Sequence, residues 1–392
     1  MSATEETVRL GIVGIGNIGT AHAASVYGGH IPNATLAALC DNDPKRAEEL
    51  RALYPDVPVF EDAEELFASG LVDAVVIATP HYSHPPLAIR AFACGLHVLS
   101  EKPIGVSCAK ACEMVATAKE SGKVFAVMFN QRTNQLFAKA RELVRSGALG
   151  ELKRSVWIIT NWYRKQSYYD SGVWRATWSG EGGGVLMNQA PHNLDLWQWI
   201  CGMPVEVRAT CDVAKFHNIE VEDDATLFVR YENGATGVFI TSTGDYPGTN
   251  RLEITGTLGK IVIEGGKLTW HKLSMDERAY CFDADAAKPT WETTVFEDEK
   301  YNGHRNVLTN FARAILHGEE LVARGEEGLG ELTLCNAAYL SAWTGEPIAL
   351  PMDDAAYQQT LEEKVKTGKA AAGKKSVSSH GGDYLARWNT NW

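Results

Sequence analysis

The stretch Val8-Arg9-Leu10-Gly11-Ile12-Val13-Gly14-Ile15-Gly16-Asn17-Ile18-Gly19 constrains the fold more than any other part of the chain. Its apolar run to Val13 has the pattern of a strand buried on both faces of a parallel sheet. Gly14, Gly16 and Gly19 then follow the G-x-G-x-x-G spacing, and Thr20-Ala21-His22-Ala23-Ala24 can continue as a helix. Each glycine has a physical task. Gly14 permits the tight turn, Gly16 lets the backbone approach a pyrophosphate, and Gly19 allows close packing of helix on strand. The first helical turn, which includes Asn17 and Ile18, offers unpaired N–H groups and a positive dipole end to the phosphates. A second strand, Leu36-Ala37-Ala38-Leu39-Cys40, ends in Asp41. That is roughly 20–25 residues beyond the glycines, where a dinucleotide fold places an acid for the ribose hydroxyls. Asp41 would repel a 2′-phosphate, so NAD is expected over NADP.

At 392 residues the chain has room for two domains of ordinary size. Its net charge of −12, without a long basic run, argues against nucleic acid as a partner. Residues 1–7 are polar, unlike a signal peptide, and no stretch has the length of a membrane span, so a cytoplasmic protein is expected. The eight cysteines form no C-x-x-C pair. Cys108 and Cys112, one helical turn apart, read as small buried residues, and no metal site is expected.

A further strand at 72–78 is followed by Thr79-Pro80-His81-Tyr82-Ser83-His84, a loop at the carboxyl end, where open α/β sheets bind ligands. His81 and His84 lack a carboxylate or thiolate at metal-ligand spacing and read as loop residues near the cofactor. A helix at about 86–94 leads to the strand His97-Val98-Leu99-Ser100 and then Glu101-Lys102-Pro103. Lys102 thus sits at another strand's carboxyl end, restricted by the following proline. The strand at 124–129 completes a first domain over 1–130, with Asn130-Gln131-Arg132 at its exit.

In this order, Gly14-x-Gly16-x-x-Gly19, Ala78-Thr79-Pro80-x-x-x-His84 and Glu101-Lys102-Pro103 resemble the glucose–fructose oxidoreductase / inositol dehydrogenase / MocA family. The likeness runs from Val8 to about Pro351, with His81 where many relatives carry Asn. It implies an α/β protein: an N-terminal Rossmann domain and a C-terminal α+β domain with a large open, mostly antiparallel sheet. It also implies NAD(P)-dependent oxidation of sugar or polyol hydroxyls and a homo-oligomer, dimer or tetramer. By the same resemblance, Thr79, Pro80, His84, Glu101, Lys102 and Asn130 belong to the cofactor side.

The second domain is expected over 131–352. Strands are expected at 152–160, 207–217, 225–231 and 235–242, the last pair joined by the hairpin signal Asn233-Gly234. Further strands at 252–255, 260–264 and 267–271 precede helices at 302–317 and 328–343. Residues 353–392 read as a C-terminal extension, with a flexible linker at 368–382. Its end, 383–392, holds Trp388 and Trp392 and is expected to dock on its own or a neighbouring subunit.

Oxidising an alcohol requires a base near the hydroxyl, poised near the working pH. The segment Gly182-Gly183-Gly184-Val185-Leu186-Met187-Asn188-Gln189-Ala190-Pro191-His192-Asn193-Leu194-Asp195 supplies one. Pro191 suits a first helical turn, and His192 and Asp195 then share a face. Taken alone, a histidine at a helix start is more often structural, and Trp197 and Trp199 read as core. The family resemblance makes His192 the general base and Lys102 the donor to the reacting oxygen, its pKa lowered by the nicotinamide cation. Asp195 would orient the histidine or bind a substrate hydroxyl. Four residues before the histidine, sugar-oxidising relatives often carry Asp where this chain has Asn188, and an amide cannot hold a negative charge. The departure leaves the substrate open more than the reaction.

Trp157, Trp162, Tyr163, Tyr168, Tyr169, Trp174 and Trp178, interspersed with Arg164, Lys165 and Arg175, form an aromatic run. As a group they suit a substrate-covering loop, and singly they suit a packed core edge. The basic residues suit a phosphate or carboxylate. Trp162, Tyr163, Arg175 and Arg132 join Asn188 and Asp195 as substrate candidates. The expected function is an NAD-dependent dehydrogenase oxidising a secondary hydroxyl of a sugar, glycoside or cyclic polyol. Two alternatives stand beside it. One is an NAD-dependent glycoside hydrolase using transient oxidation and elimination. The other is a non-catalytic NAD-binding regulator, which would need neither Lys102 nor His192.

Overall fold

The structure, a computed structural model, describes residues 6–297 and 302–368. The chain divides into two compact units, 1–133 with 302–332, and 134–301 with 333–392. No helix among the described residues is long and apolar enough to cross a membrane.

The first unit holds a six-stranded parallel sheet: β1 Val8–Val13, β2 Ala34–Cys40, β3 Val59–Phe60, β4 Ala74–Ile77, β5 His97–Ser100 and β6 Phe125–Val127. The order β3-β2-β1-β4-β5-β6 reverses direction between β1 and β4, the switch point at which doubly wound sheets bind nucleotides. Only Arg9 of β1 reaches solvent, because helices cover both faces.

The helix Gly303–His317 completes this unit. Its Val307, Leu308, Phe311 and Ala312 are buried in one cluster with Leu10, Ile12 and Leu39. Ala323 then accepts a hydrogen bond from Val127 N at 3.2 Å, and Arg324 bridges Ala126 on the sheet edge. The expected continuous second domain over 131–352 is therefore corrected. Residues 302–332 return to the dinucleotide fold because the apolar face of their helix covers β1.

The second unit is built on a nine-stranded sheet. Its strands are β7 Leu152–Ile159, β8 Glu206–Val213, β9 Glu222–Arg230, β10 Thr236–Ser242, β11 Asn250–Gly256, β12 Gly259–Glu264, β13 Lys267–Leu273, β14 Trp291–Glu297 and β15 Ile348–Ala349. The order is β14-β13-β12-β11-β7-β10-β9-β8-β15, antiparallel except for β7 beside β10. Ala225, Leu227 and Val229 alternate with more exposed residues, as a one-sided sheet requires. The helix Pro191–Cys201 packs on the buried face through Trp197, whose ring centroid lies 5.5 Å from that of Phe239. A Cβ at Gly237 would stand 2.6 Å from Trp197, so the indole needs the glycine.

Three expectations change here. The strand expected over 207–217 ends at Val213, because Asp223 accepts the N–H groups of Lys215, Phe216 and His217 and turns the chain. The edge strand Trp291–Glu297 was not expected; its side chains are mostly exposed, leaving little apolar alternation to read. The extension after Asp353 begins as a helix, Asp354–Thr367, whose first N–H groups are capped by the Asp353 carboxylate. Tyr357 and Leu361, one turn apart, are its buried contacts, and Tyr357 stacks on Trp343 at 5.6 Å. The expected tryptophan-containing end, 383–392, lies outside the described residues, as does the linker beyond Gly368.

Candidate active site

The glycine turn of the first unit takes the shape its spacing demands. Gly14 has φ +87°, and a Cβ there would lie 2.8 Å from Thr79 N. A Cβ at Gly19 would lie 2.0 Å from Gly14 O, so helix and turn meet backbone to backbone. Gly16 differs. Beyond its chain neighbours, no described atom lies within 4 Å of its Cβ position, which leaves room for a phosphate. The helix Asn17–Tyr27, with Ile18 in its first turn, starts at this opening without a side-chain cap.

Asp41, just past β2, is held by two backbone donors. Its Oδ2 accepts from Ile15 N at 2.8 Å and its Oδ1 from Asp43 N at 3.0 Å. A carboxylate has about four acceptor positions, so capacity remains for ribose hydroxyls. Arg46 braces the turn, donating to Ile15 O at 3.0 Å and to Thr20 Oγ1 at 2.9 Å. The residues present therefore fit a dinucleotide.

After β4, Thr79 and Pro80 lead into a 3-10 turn, His81–Ser83, and a helix that begins at His84, two residues earlier than expected. Thr79 Oγ1 is buried with no hydrogen-bond partner among the described residues. His84 is buried, with Nδ1 2.7 Å from Pro103 O and Nε2 2.7 Å from Thr79 O. Burial pushes its pKa down while the two carbonyls act to raise it. His84, expected on the cofactor side, has both ring nitrogens occupied in tying the Thr79 loop to the Lys102-Pro103 loop.

Glu101 is also turned inward. Its Oε1 meets His22 Nε2 at 2.8 Å, and its Oε2 accepts from Lys102 N at 3.2 Å. Burial alone would raise its pKa; the bond to His22 and the charges of His22, His304 and Lys102 outweigh that and hold it at about 2. It thus anchors the dinucleotide helix to the Lys102 loop. His304 lies 5.7 Å from the His22 ring, its pKa held at about 4 by burial and by the His22 charge. Asn130 Nδ2 is 3.4 Å from His304 Nδ1, and Asn130 Oδ1 is buried without a partner among the described residues. Lys102 itself is half-buried just past β5.

Arg132 is corrected as a substrate residue. Its side chain is 1% exposed, paired with Glu327 at 3.1 Å and stacked on Phe129. A guanidinium consumed in this way is an internal strut.

In the second unit, the glycine run leads into a short helix, Val185–Asn188, and then into Pro191–Cys201 with Pro191 at its first turn. His192 and Asp195 follow on one face, both buried, and Asp195 Oδ1 accepts from Gln198 Nε2 at 3.1 Å. Asn188 Nδ2 donates to Glu181, whose other oxygen accepts from Ala176 N at 2.6 Å. Glu181 was missed from sequence; it places a buried carboxylate directly against the amide that stands where relatives often carry Asp. Tyr168 Oη gathers Arg175 at 2.9 Å, Gln189 at 3.2 Å and Asn188 at 3.5 Å.

The aromatic run divides. Trp157, Trp162, Tyr169 and Trp178 are core residues, and Trp162, only 1% exposed, is corrected as a substrate contact. Tyr163 is exposed beside Tyr246, and Arg175 stacks on Tyr168 and Trp174.

Residues 8–129 match a family model described as an oxidoreductase family with an NAD-binding Rossmann fold, and residues 137–262 match the GFO/IDH/MocA C-terminal domain. The chain is 30% identical over 376 residues to D-glucoside 3-dehydrogenase of Escherichia coli K12, covering 88% of this chain and 99% of the relative. It is 26% identical over 339 residues to myo-inositol 2-dehydrogenase of Thermotoga maritima, covering 84% and 95%. A solved structure of the WlbA dehydrogenase from Bordetella pertussis, in complex with NADH and UDP-GlcNAcA, superposes with a TM-score of 0.75 at 28% identity. That match covers 89% of this chain and all of the other. The chain belongs to the GFO/IDH/MocA family of NAD-binding oxidoreductases.

Proposed function

We propose that the protein oxidises a secondary hydroxyl of a sugar, glycoside or cyclic polyol. In this reading a bound NAD would accept the hydride from the carbinol carbon, the hydroxyl proton passes to His192, and Lys102 donates a hydrogen bond to the reacting oxygen. The observation that carries this reading is a dinucleotide turn with an open Gly16 in a chain that also keeps Lys102 past β5. The naming of relatives as inositol and glucoside dehydrogenases supports the substrate class. Bound NAD supplies the hydride acceptor. Asp41 favours NAD over NADP, because a 2′-phosphate would meet a fixed carboxylate. On the substrate side, Asn188 with Glu181, Asp195, Arg175 and the exposed Tyr163 supply hydrogen bonds and stacking surface. A homo-oligomer is part of the same reading; Val156, Ile158, Val238 and Ile240 lie half-buried on the opposite face of the large sheet.

The test follows absorbance at the NADH band with NAD or NADP and a panel of sugars, glycosides and inositols, together with aglycone release. Stoichiometric NADH growth is expected with NAD, and Lys102→Ala should abolish it while sparing NAD binding. Aglycone release without net NADH would replace this reading with the hydrolase, and full turnover by Lys102→Ala would remove Lys102 from the mechanism.

A further inference from the structure

The glycine run 182–184 is not explained by the cofactor turn, and its neighbours show what it serves. A Cβ at Gly183 would lie 2.0 Å from Tyr339 Oη, and one at Gly184 would lie 1.8 Å from Glu222 O. The glycines therefore let this segment press against the Tyr339 side chain and against the backbone carbonyl of Glu222. Glu222 accepts hydrogen bonds from Gly184 N at 3.0 and 3.1 Å, from Leu186 N at 2.9 Å and from Tyr339 Oη at 2.7 Å. These donors include the N–H of Gly184, which caps the helix Val185–Asn188, and that of Leu186 in its first turn. Ala190 N bonds back to Val185 O at 2.8 Å, and Leu194 N to Ala190 O at 2.9 Å. An unbroken hydrogen-bonded path thus runs from the Glu222 carboxylate to the first turn that carries His192.

We propose that Glu222 is a positioning residue: its carboxylate fixes the 183–188 turn and, through it, the placement of Asn188 and His192. This rests on the reading of His192 as the base. The carboxylate is fully buried, and no cation pairs with it among the described residues. Around it stand Tyr339 of the helix Gly328–Thr344 and Cys211 of β8, neutral groups whose ionisation burial opposes. Burial pushes the Glu222 pKa up to about 7, against the pull of its backbone and Tyr339 donors. Above that pH both oxygens accept. Below it the carboxylic acid needs an acceptor, and among its three partners only Tyr339 Oη can turn to become one. The turn is therefore held most firmly when Glu222 is ionised, although ionisation there is opposed by burial.

The experiment uses the full chain with Glu222→Gln, which keeps the shape, and Glu222→Asp, which keeps the charge. Hydrogen exchange of peptides spanning 182–190, corrected for intrinsic rate, is followed from pH 5.5 to 9. In the parent, protection should rise severalfold through about pH 7; in Glu222→Gln the step should vanish, and in Glu222→Asp it should persist. On a substrate that the parent oxidises, kcat should fall at least tenfold in Glu222→Gln with the NAD KM unchanged, and Glu222→Asp should recover part of it. A Glu222→Gln protein with parental exchange and parental kcat at pH 8 would overturn the proposal. His192→Gln separates the two readings. If it stays active while Glu222→Gln loses the exchange step, the base assignment fails, and with it the catalytic purpose given to Glu222.

Discussion

The same substitution at two glycines of one turn should have opposite signatures. At Gly19, an added Cβ would stand 2.0 Å from Gly14 O, against an ordinary contact of at least 3.4 Å. The helix Asn17–Tyr27 must retreat by more than an ångström or the turn must deform. Overpacking of this kind costs about 1–3 kcal/mol, and the steepness of this contact puts Gly19→Ala at the upper end. The melting temperature should fall by roughly 5–10 °C. At Gly16 the added methyl meets no described atom beyond its chain neighbours within 4 Å, so folding has little to lose. The remaining penalty is the preference for Gly over Ala at an N-cap, under about 1 kcal/mol. NADH binding should suffer instead, because the methyl fills the room a phosphate needs. Displacing one charge-assisted hydrogen bond costs about 1.5–3 kcal/mol, or roughly 10- to 100-fold in affinity. NADH fluorescence titration and thermal melts, run on both variants, separate these effects. Parental NADH affinity in Gly16→Ala would refute the assignment of that opening to a phosphate.

The Glu101 carboxyl, held at about 2 against its ordinary 4.5, contributes stability that is present above pH 4.5 and lost as pH falls towards 2. His22 is the largest of the groups that hold the carboxyl down, so urea melts of His22→Phe should show a loss of stability at pH 7 that shrinks as pH falls towards 2. Arg132→Met should lower the melting temperature by leaving Glu327 and the surrounding core without their partner while the KM for the carbohydrate stays unchanged. A raised KM with parental stability would return Arg132 to the substrate site. Asp41→Ser should shift the ratio of NAD to NADP efficiency at least tenfold towards NADP, measured as kcat/KM for each cofactor; an unchanged ratio would mean that Asp41 serves only to hold Ile15 and Asp43.

Much of the protein is legible from its residues because the deciding interactions are local. The G-x-G-x-x-G spacing determines a turn whose tightness depends on atoms a few residues apart. Alternation in β9 and β10 and the Asn233-Gly234 turn specify a hairpin for the same reason. Pro191 marks a helix start, which then sets His192 and Asp195 on one face. Beyond that reach, only the tertiary structure decided. Arg132, His84 and Glu101 have the composition of ligand-binding residues, and partners remote in the chain hold their side chains. Arg132 found Glu327 nearly 200 residues later, and Glu101 found His22 on the dinucleotide helix. Residues 302–332 returned to the first sheet because burying the apolar face of one helix against β1 outweighs chain proximity. Glu222 carried no signal at all, since a buried carboxylate is recognised only once its donors, Gly184, Leu186 and Tyr339, have been folded against it. Backbone geometry is written in neighbouring residues, whereas the use of a polar side chain depends on which distant group removes it from water.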